Sequence, residues 1–222
     1  MEIDIFSDTI CPWCFIGKRR LERALRERPQ ADLTIRWRAF QLNPDMPKDG
    51  MDRARYLETK FGGAANARAI YNQVRTAGES EGIPFAFEAI KRTPNTVDSH
   101  RLIRFARDNG RQDEVVEGLF EAYFLRGENI GDPEVLIAAA VKAGLDTDAV
   151  RQFLESEADL IAVRSEDAQA RQAGIHGVPC FIFNGKYALS GAQPPEVLHQ
   201  LFDLALQDEE KERAGVSEPS GT

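Results

Sequence analysis

The chain has 222 residues, 42% of them hydrophobic, and three cysteines, so it can bury a core without a framework of disulfides. Its formal net charge of −8 argues against nucleic acid or an anionic membrane as the main partner, because both need clustered cations. No apolar run approaches the roughly 20 residues of a membrane span.

Residues 3 to 7 read as a short strand with Ile3 and Ile5 on one face. Ser7-Asp8-Thr9-Ile10 leads into Cys11-Pro12-Trp13-Cys14, and Phe15 to Arg28 reads as a helix whose stripe is Phe15, Leu21, Ala24 and Leu25. A Cys-x-x-Cys at a strand-to-helix junction is a redox pattern. Pro12 suits the first helical position, where its missing N–H has no partner to lose. Cys11 then becomes the N-cap and Cys14 the third helical residue. A thiolate at the cap accepts hydrogen bonds from the first turn and gains from the positive end of the helix dipole. Both effects lower its pKa from a free value of about 8.5. The motif is therefore expected to hold one activated, exposed sulfur, Cys11, and a resolving thiol, Cys14.

Pro29 ends the helix, and residues 33–40 alternate with a period of two, rich in β-branched and aromatic side chains, as a second strand. Strand, helix and strand make a βαβ unit with a right-handed crossover. After Asn43-Pro44-Asp45 and Pro47-Lys48-Asp49-Gly50, residues 51–155 read as almost entirely helical, in segments near 53–61, 64–80, 96–109, 112–125, 133–143 and 147–155. A longer helix is predicted over 157–173, capped by Ser156 and ended by Gly174. Val178-Pro179 precedes two short strands around Asn184-Gly185, a hairpin signal because both turn residues tolerate positive φ. A last helix after Pro194-Pro195 is expected to stop near Gln207, with the polar residues 208–222 a disordered acidic tail.

Other readings of the candidate residues stand beside the redox one. Zinc would need four ligands, with Cys11, Cys14, His176 and Cys180 the candidate set, but Pro12-Trp13 inside a helix start is a poor metal knuckle. No metal is expected. Trp13 either offers substrates an apolar contact or packs on the helical segment. Cys180 reads as an inert core cysteine, with participation in exchange the lesser reading. His176 reads as a loop residue, while His100 and His199 lie in helical runs with no visible partner. Asp8 stands close enough to the motif to influence Cys14, with surface solvation the plainer expectation. The N-terminus lacks the pattern of a secretory leader, and with so few cysteines this leads to the expectation of a cytoplasmic protein.

In this order the elements resemble a thioredoxin fold interrupted after its first βαβ unit by a large all-helical insertion. That α/β layout is the one of the DsbA-like family, and the similarity is nearest to its cytosolic FrnE-like branch. The residues that carry the resemblance are Asp8 through Gly17, Gly177-Val178-Pro179, and Ser190-Gly191-Ala192-Gln193-Pro194-Pro195. It divides the chain into a thioredoxin-like domain, 1–45 and 156–207, a helical insertion domain, 46–155, and the tail. It implies a cis Val178-Pro179 bond facing Cys11, cis being cheap only before proline. The Val178 backbone would then pair with an extended substrate segment.

The function implied is thiol–disulfide exchange on protein or small disulfide substrates. Cys11 and Cys14 are catalytic, and Pro12, Trp13, Val178 and Pro179 contact substrate. No cofactor is expected beyond the Cys11–Cys14 disulfide, with glutathione as a co-substrate or a thioredoxin-type protein as reductant. Two rivals remain. Kappa-class glutathione transferases and 2-hydroxychromene-2-carboxylate isomerases share the layout but typically carry serine at the first motif position. A chaperone-like polypeptide binder would use the groove between the two parts of the chain.

Overall fold

The computed structural model describes residues 1–216. Strand β1 (Glu2–Ser7) leads through a four-residue loop into helix α1 (Pro12–Glu27), and β2 (Thr34–Ala39) returns parallel to β1, with Ile3 opposite Ile35 and Ser7 opposite Ala39. Ile3 and Ile5 are fully buried, as the alternating pattern requires of a strand packed on one face.

The insertion follows: β3 (Met51–Asp52), α2 (Arg53–Phe61), α3 (Ala64–Glu79), β4 (Arg92–Thr93), α4 (Val97–Asp108), α5 (Gln112–Phe120), α6 (Pro133–Lys142) and α7 (Thr147–Glu155). It is not all-helical. Met51 and Asp52 pair antiparallel with Thr93 and Arg92, forming a two-residue ribbon too short to show any periodicity. Helix α5 runs directly into one π-helical turn, Glu121–Leu125, which completes the segment read as 112–125.

Helix α8 (Leu160–Gln172) returns the chain to the sheet, where β5 (Cys180–Phe183) and β6 (Tyr187–Ser190) form the hairpin before α9 (Pro195–Val216). The four-stranded sheet has the order β2-β1-β5-β6, mixed because β5 runs antiparallel to β1. Asn184 and Gly185 both have positive φ, +49° and +67°, as the turn demands.

Two boundaries differ from expectation. Ser156 does not cap α8 but closes α7: its hydroxyl donates to the Phe153 carbonyl at 2.7 Å and accepts from the Ala158 N–H at 3.1 Å. Arg101 fixes that corner by donating to the Phe153 and Ser156 carbonyls, and α8 begins only after Asp159. Helix α9 continues nine residues beyond Gln207, through what composition marks as tail. Asp208 there accepts from the Tyr187 hydroxyl (2.7 Å) and Lys186 Nζ (3.1 Å), and Glu209 accepts from Asn184 Nδ2 (3.0 Å). The hairpin thus holds a polar turn that composition alone leaves free. The rest of the expected tail, residues 217–222, lies outside the described residues.

One continuous apolar core joins the sheet and the insertion. It runs from Ile3, Phe181, Phe183 and Phe202 through Phe15 to Phe85, Leu119, Phe120 and Phe124. Phe15, the residue after Cys14, stacks on Phe120 at 5.1 Å and meets Phe85 edge-on at 6.1 Å. Helix α1 therefore carries the cysteine motif and an aromatic contact with the insertion at once.

Candidate active site

Cys11 is the N-cap of α1, with extended backbone (φ −91°, ψ 111°) and Pro12 next in the first turn. Its side chain makes no capping hydrogen bond. As a free thiol it points across the site, its Sγ 3.5 Å from the Val178 carbonyl oxygen, which accepts from it. The Val178-Pro179 peptide is cis. The sulfur is not exposed as expected: Cys11 is only 4% accessible, covered by the Val178 loop. Trp13 is the exposed member of the motif, at 37%, and Pro12 is half-buried.

Cys14 lies behind Cys11 and is 1% accessible. Burial pushes its thiol well above the ordinary value, and the neighbouring Cys11 sulfur adds to the rise, while Ser7 and the Asp8 backbone act against it. Cys14 thus keeps its proton where a solvent-facing thiol begins to lose it.

Close approach holds the Val178-Pro179 loop against α1. A Cβ on Gly17 would sit 2.9 Å from Pro179 Cγ and 3.2 Å from Phe181 Cζ, so only glycine lets the helix and the loop meet at this distance. The carbonyl of Pro179 accepts from the Gly191 N–H at 2.8 Å, tying the loop to the end of β6.

Asp8 was expected at the surface and is fully buried. Its carboxylate accepts from the Leu42 N–H at 2.6 Å and lies 3.6 Å from His100 Nε2, a buried nitrogen with no hydrogen-bond partner among the described residues. Thr9 and Ser99 share a hydrogen bond of 2.8 Å beside them. The loop before the motif is therefore fastened to α4 of the insertion. Asp8 and His100 are 92 positions apart, and only the tertiary fold brings them together.

The remaining candidates scatter. His176 is exposed, and His199 faces the Ala24 carbonyl at 3.2 Å. Cys180 begins β5, buried among Phe40, Ala170 and Ile175, a cluster separate from the one holding Cys11 and Cys14, and burial raises its thiol pKa. Among the described residues no three His, Cys, Asp or Glu side chains are gathered to hold a metal ion. No described helix is long and apolar enough to cross a membrane.

Comparison with known proteins adds three likenesses and a family match. The model of the DSBA-like thioredoxin domain matches residues 2–203. A probable DsbA oxidoreductase of Streptomyces coelicolor has a similar structure, with 32% identity and a TM-score of 0.84, covering 100% of this chain and 93% of that one. The protein YwbO of Bacillus subtilis is 27% identical over 214 residues, 96% of this chain and 99% of its own. A 2-hydroxychromene-2-carboxylate isomerase shares the fold at 19% identity and a TM-score of 0.68, over 98% of this chain and 100% of that chain.

Proposed function

The chain belongs to the DSBA-like thioredoxin domain family, and from that premise we propose that it is a thiol–disulfide oxidoreductase of the cytoplasm, of the FrnE-like kind, acting on protein or small disulfides through Cys11 and Cys14. The observation that carries this reading is the two-sided arrangement of the motif. Cys11 caps α1 and faces the cis Val178-Pro179 loop across 3.5 Å, while Cys14 is held protonated behind it by burial.

Exchange begins when the Cys11 thiolate attacks one sulfur of a substrate disulfide, in line with the bond that breaks. A mixed disulfide forms at Cys11, and the leaving thiolate takes up a proton. Cys14 then gives up its proton and attacks Cys11, releasing the second thiol and closing the Cys11–Cys14 disulfide. Two electrons pass from the protein dithiol to the substrate. The reverse sequence oxidises a substrate dithiol. Trp13 offers the incoming chain an apolar surface. The Val178 N–H, which makes no hydrogen bond among the described residues, offers it a backbone partner.

A cytoplasmic setting fits a chain with only three cysteines, two of them in the motif, which leaves none to pair as a structural disulfide. Glutathione or a thioredoxin-type protein would return the pair to the dithiol. The isomerase reading finds no support in the motif, where a pair of cysteines stands in place of serine.

Trapping tests the assignment of roles. Cys14→Ser should accumulate mixed disulfides with substrate through Cys11, and Cys11→Ser should accumulate none. Equal trapping by the two variants would refute the order of attack.

A further inference from the structure

Arg20 stands one turn along α1 from Gly17, on the face of the helix that meets Pro179. Its Nε donates to Glu81 Oε1 at 2.9 Å, and its Nη1 donates to the Ala192 carbonyl at 2.5 Å. Among the side-chain hydrogen bonds of the described residues, the bond to Ala192 is the one that reaches residues 190–193 from outside that segment. The other, from Gln193 Nε2 to the Ser190 carbonyl at 3.0 Å, lies within it. Residues 190–193 bear directly on the redox site. The Gly191 N–H holds the Pro179 carbonyl at 2.8 Å, Pro179 lies against Gly17, and the Val178 carbonyl accepts from Cys11 Sγ at 3.5 Å. Named contacts thus lead without a gap from Arg20 to the sulfur.

Glu81 fixes the other side of the guanidinium. It belongs to a tight turn after α3, in which the Glu81 and Ile83 N–H groups both donate to the Gly78 carbonyl, each at 2.9 Å. Ile83, only 2% accessible, anchors that turn in the core shared by the sheet and the insertion. The Glu81 side chain is itself 5% accessible, with Arg20 beside it and Arg23 Nη2 at 3.3 Å. A carboxylate so withdrawn from water needs its cations, and a guanidinium gripped at Nε keeps its planar fork aimed. The bond from this charged donor to the Ala192 carbonyl is stronger than one between neutral groups. One side chain therefore joins the motif helix, the insertion and the segment after β6.

We propose that Arg20 is a positioning residue: gripped by Glu81 of the insertion, it holds residues 190–193, and through them the Val178-Pro179 edge, in register over Cys11 for an extended polypeptide substrate. The inference rests on the exchange reading above and adds the residues that set the docking edge. A substrate strand pairing with the Val178 backbone brings its disulfide to Cys11 only while that edge keeps its height above the sulfur. Attack along the line of the breaking bond tolerates little misplacement, and an error of about 1 Å can cost on the order of a hundredfold. The same loop covers Cys11, so the tether that aligns the edge also shields the sulfur. A small disulfide, with no backbone to pair, uses the sulfur but not the edge. Loosening the tether has two opposite consequences, poorer docking of a peptide and freer access to Cys11.

The test uses the reduced full-length protein and two substrates, a disulfide-linked dimer of a short cysteine peptide and bis(2-hydroxyethyl) disulfide. Arg20→Gln should lower the ratio of peptide rate to small-disulfide rate about tenfold, the effect of losing one charge-assisted contact. It should also speed iodoacetamide labelling of Cys11 severalfold, while Cys14 and Cys180, 1% and 5% accessible, stay protected. Arg20→Lys should recover part of the ratio, and Glu81→Gln should move both readouts the same way by less. An unchanged ratio in Arg20→Gln, an equal fall in both rates, or Cys11 labelling at the native rate would overturn the inference while leaving exchange intact. Should Arg20→Gln open all three cysteines alike, Glu81→Gln decides. There a native ratio or the same general opening overturns the inference, and a lowered ratio with Cys14 and Cys180 protected upholds it. A native protein that reacts with neither disulfide would refute the exchange reading, and this inference with it.

Discussion

Burial of the Cys14 sulfur makes its proton part of the folding equilibrium as well as of the chemistry. The folded thiol holds its proton well above the ordinary thiol range, while the unfolded chain releases it near the free value of about 8.5. Between the two the native state binds more protons than the unfolded state, so stability falls as pH rises. For one proton the slope is at most about 1.4 kcal/mol per pH unit. In reductant, the stability of Cys14→Ala relative to the native protein should therefore improve from pH 9 upward. Urea unfolding at several pH values measures it, and a pH-independent difference would contradict the burial argument. Asp8 shows the opposite limit of a residue-scale reading. Its place before Cys11 is plain in the sequence, but its burial depends on the Leu42 N–H and His100, which no local pattern announces.

Among the elements, α1 carries the most consequence per residue, because one face holds the Val178-Pro179 loop and another meets the insertion. Gly17 is where the first face is decided. Valine there would bring a side chain within 2.9 Å of Pro179 Cγ, and the rigid ring has little room to yield. Gly17→Val should cost about 1–3 kcal/mol by overpacking, more than the propensity gained by replacing a helical glycine. It should also slow exchange, since Pro179 would shift against Cys11. Urea unfolding and a thiol-exchange rate check both parts, and a more stable variant would show that the gap is slack.

The strands, the main helices, the hairpin and the cap at Cys11 were legible, because each has a local signature in periodicity, proline or Asn-Gly. The β3–β4 ribbon was not, since two residues have no period. Nor was the end of α9, where the hairpin side chains hold Asp208 and Glu209 in place. The contact of Thr9 with Ser99 gave no signal either, because it exists only once α4 is folded against the loop before the motif.

Across the whole molecule, the redox unit and the insertion share one apolar core and a charged seam. Lys18, only 3% accessible, meets Asp113 at 3.0 Å and Glu117 at 3.1 Å, and Arg19 is hydrogen-bonded to Glu117. Desolvation alone would lower the Lys18 pKa, but Asp113, Glu22 and Glu117 together raise it, so the buried cation stays charged. These contacts and the stacking of Phe15 keep the insertion seated over α1. Every functional claim above depends on Cys11 and Cys14 forming one two-electron couple, with Cys180 outside it. Mass spectrometry of the reduced native protein after reaction with a single equivalent of small disulfide tests this directly. The account predicts a loss of two hydrogens, a Cys11–Cys14 linkage and a free Cys180 thiol. A linkage through Cys180, or two stable adducts in place of an internal disulfide, would contradict it.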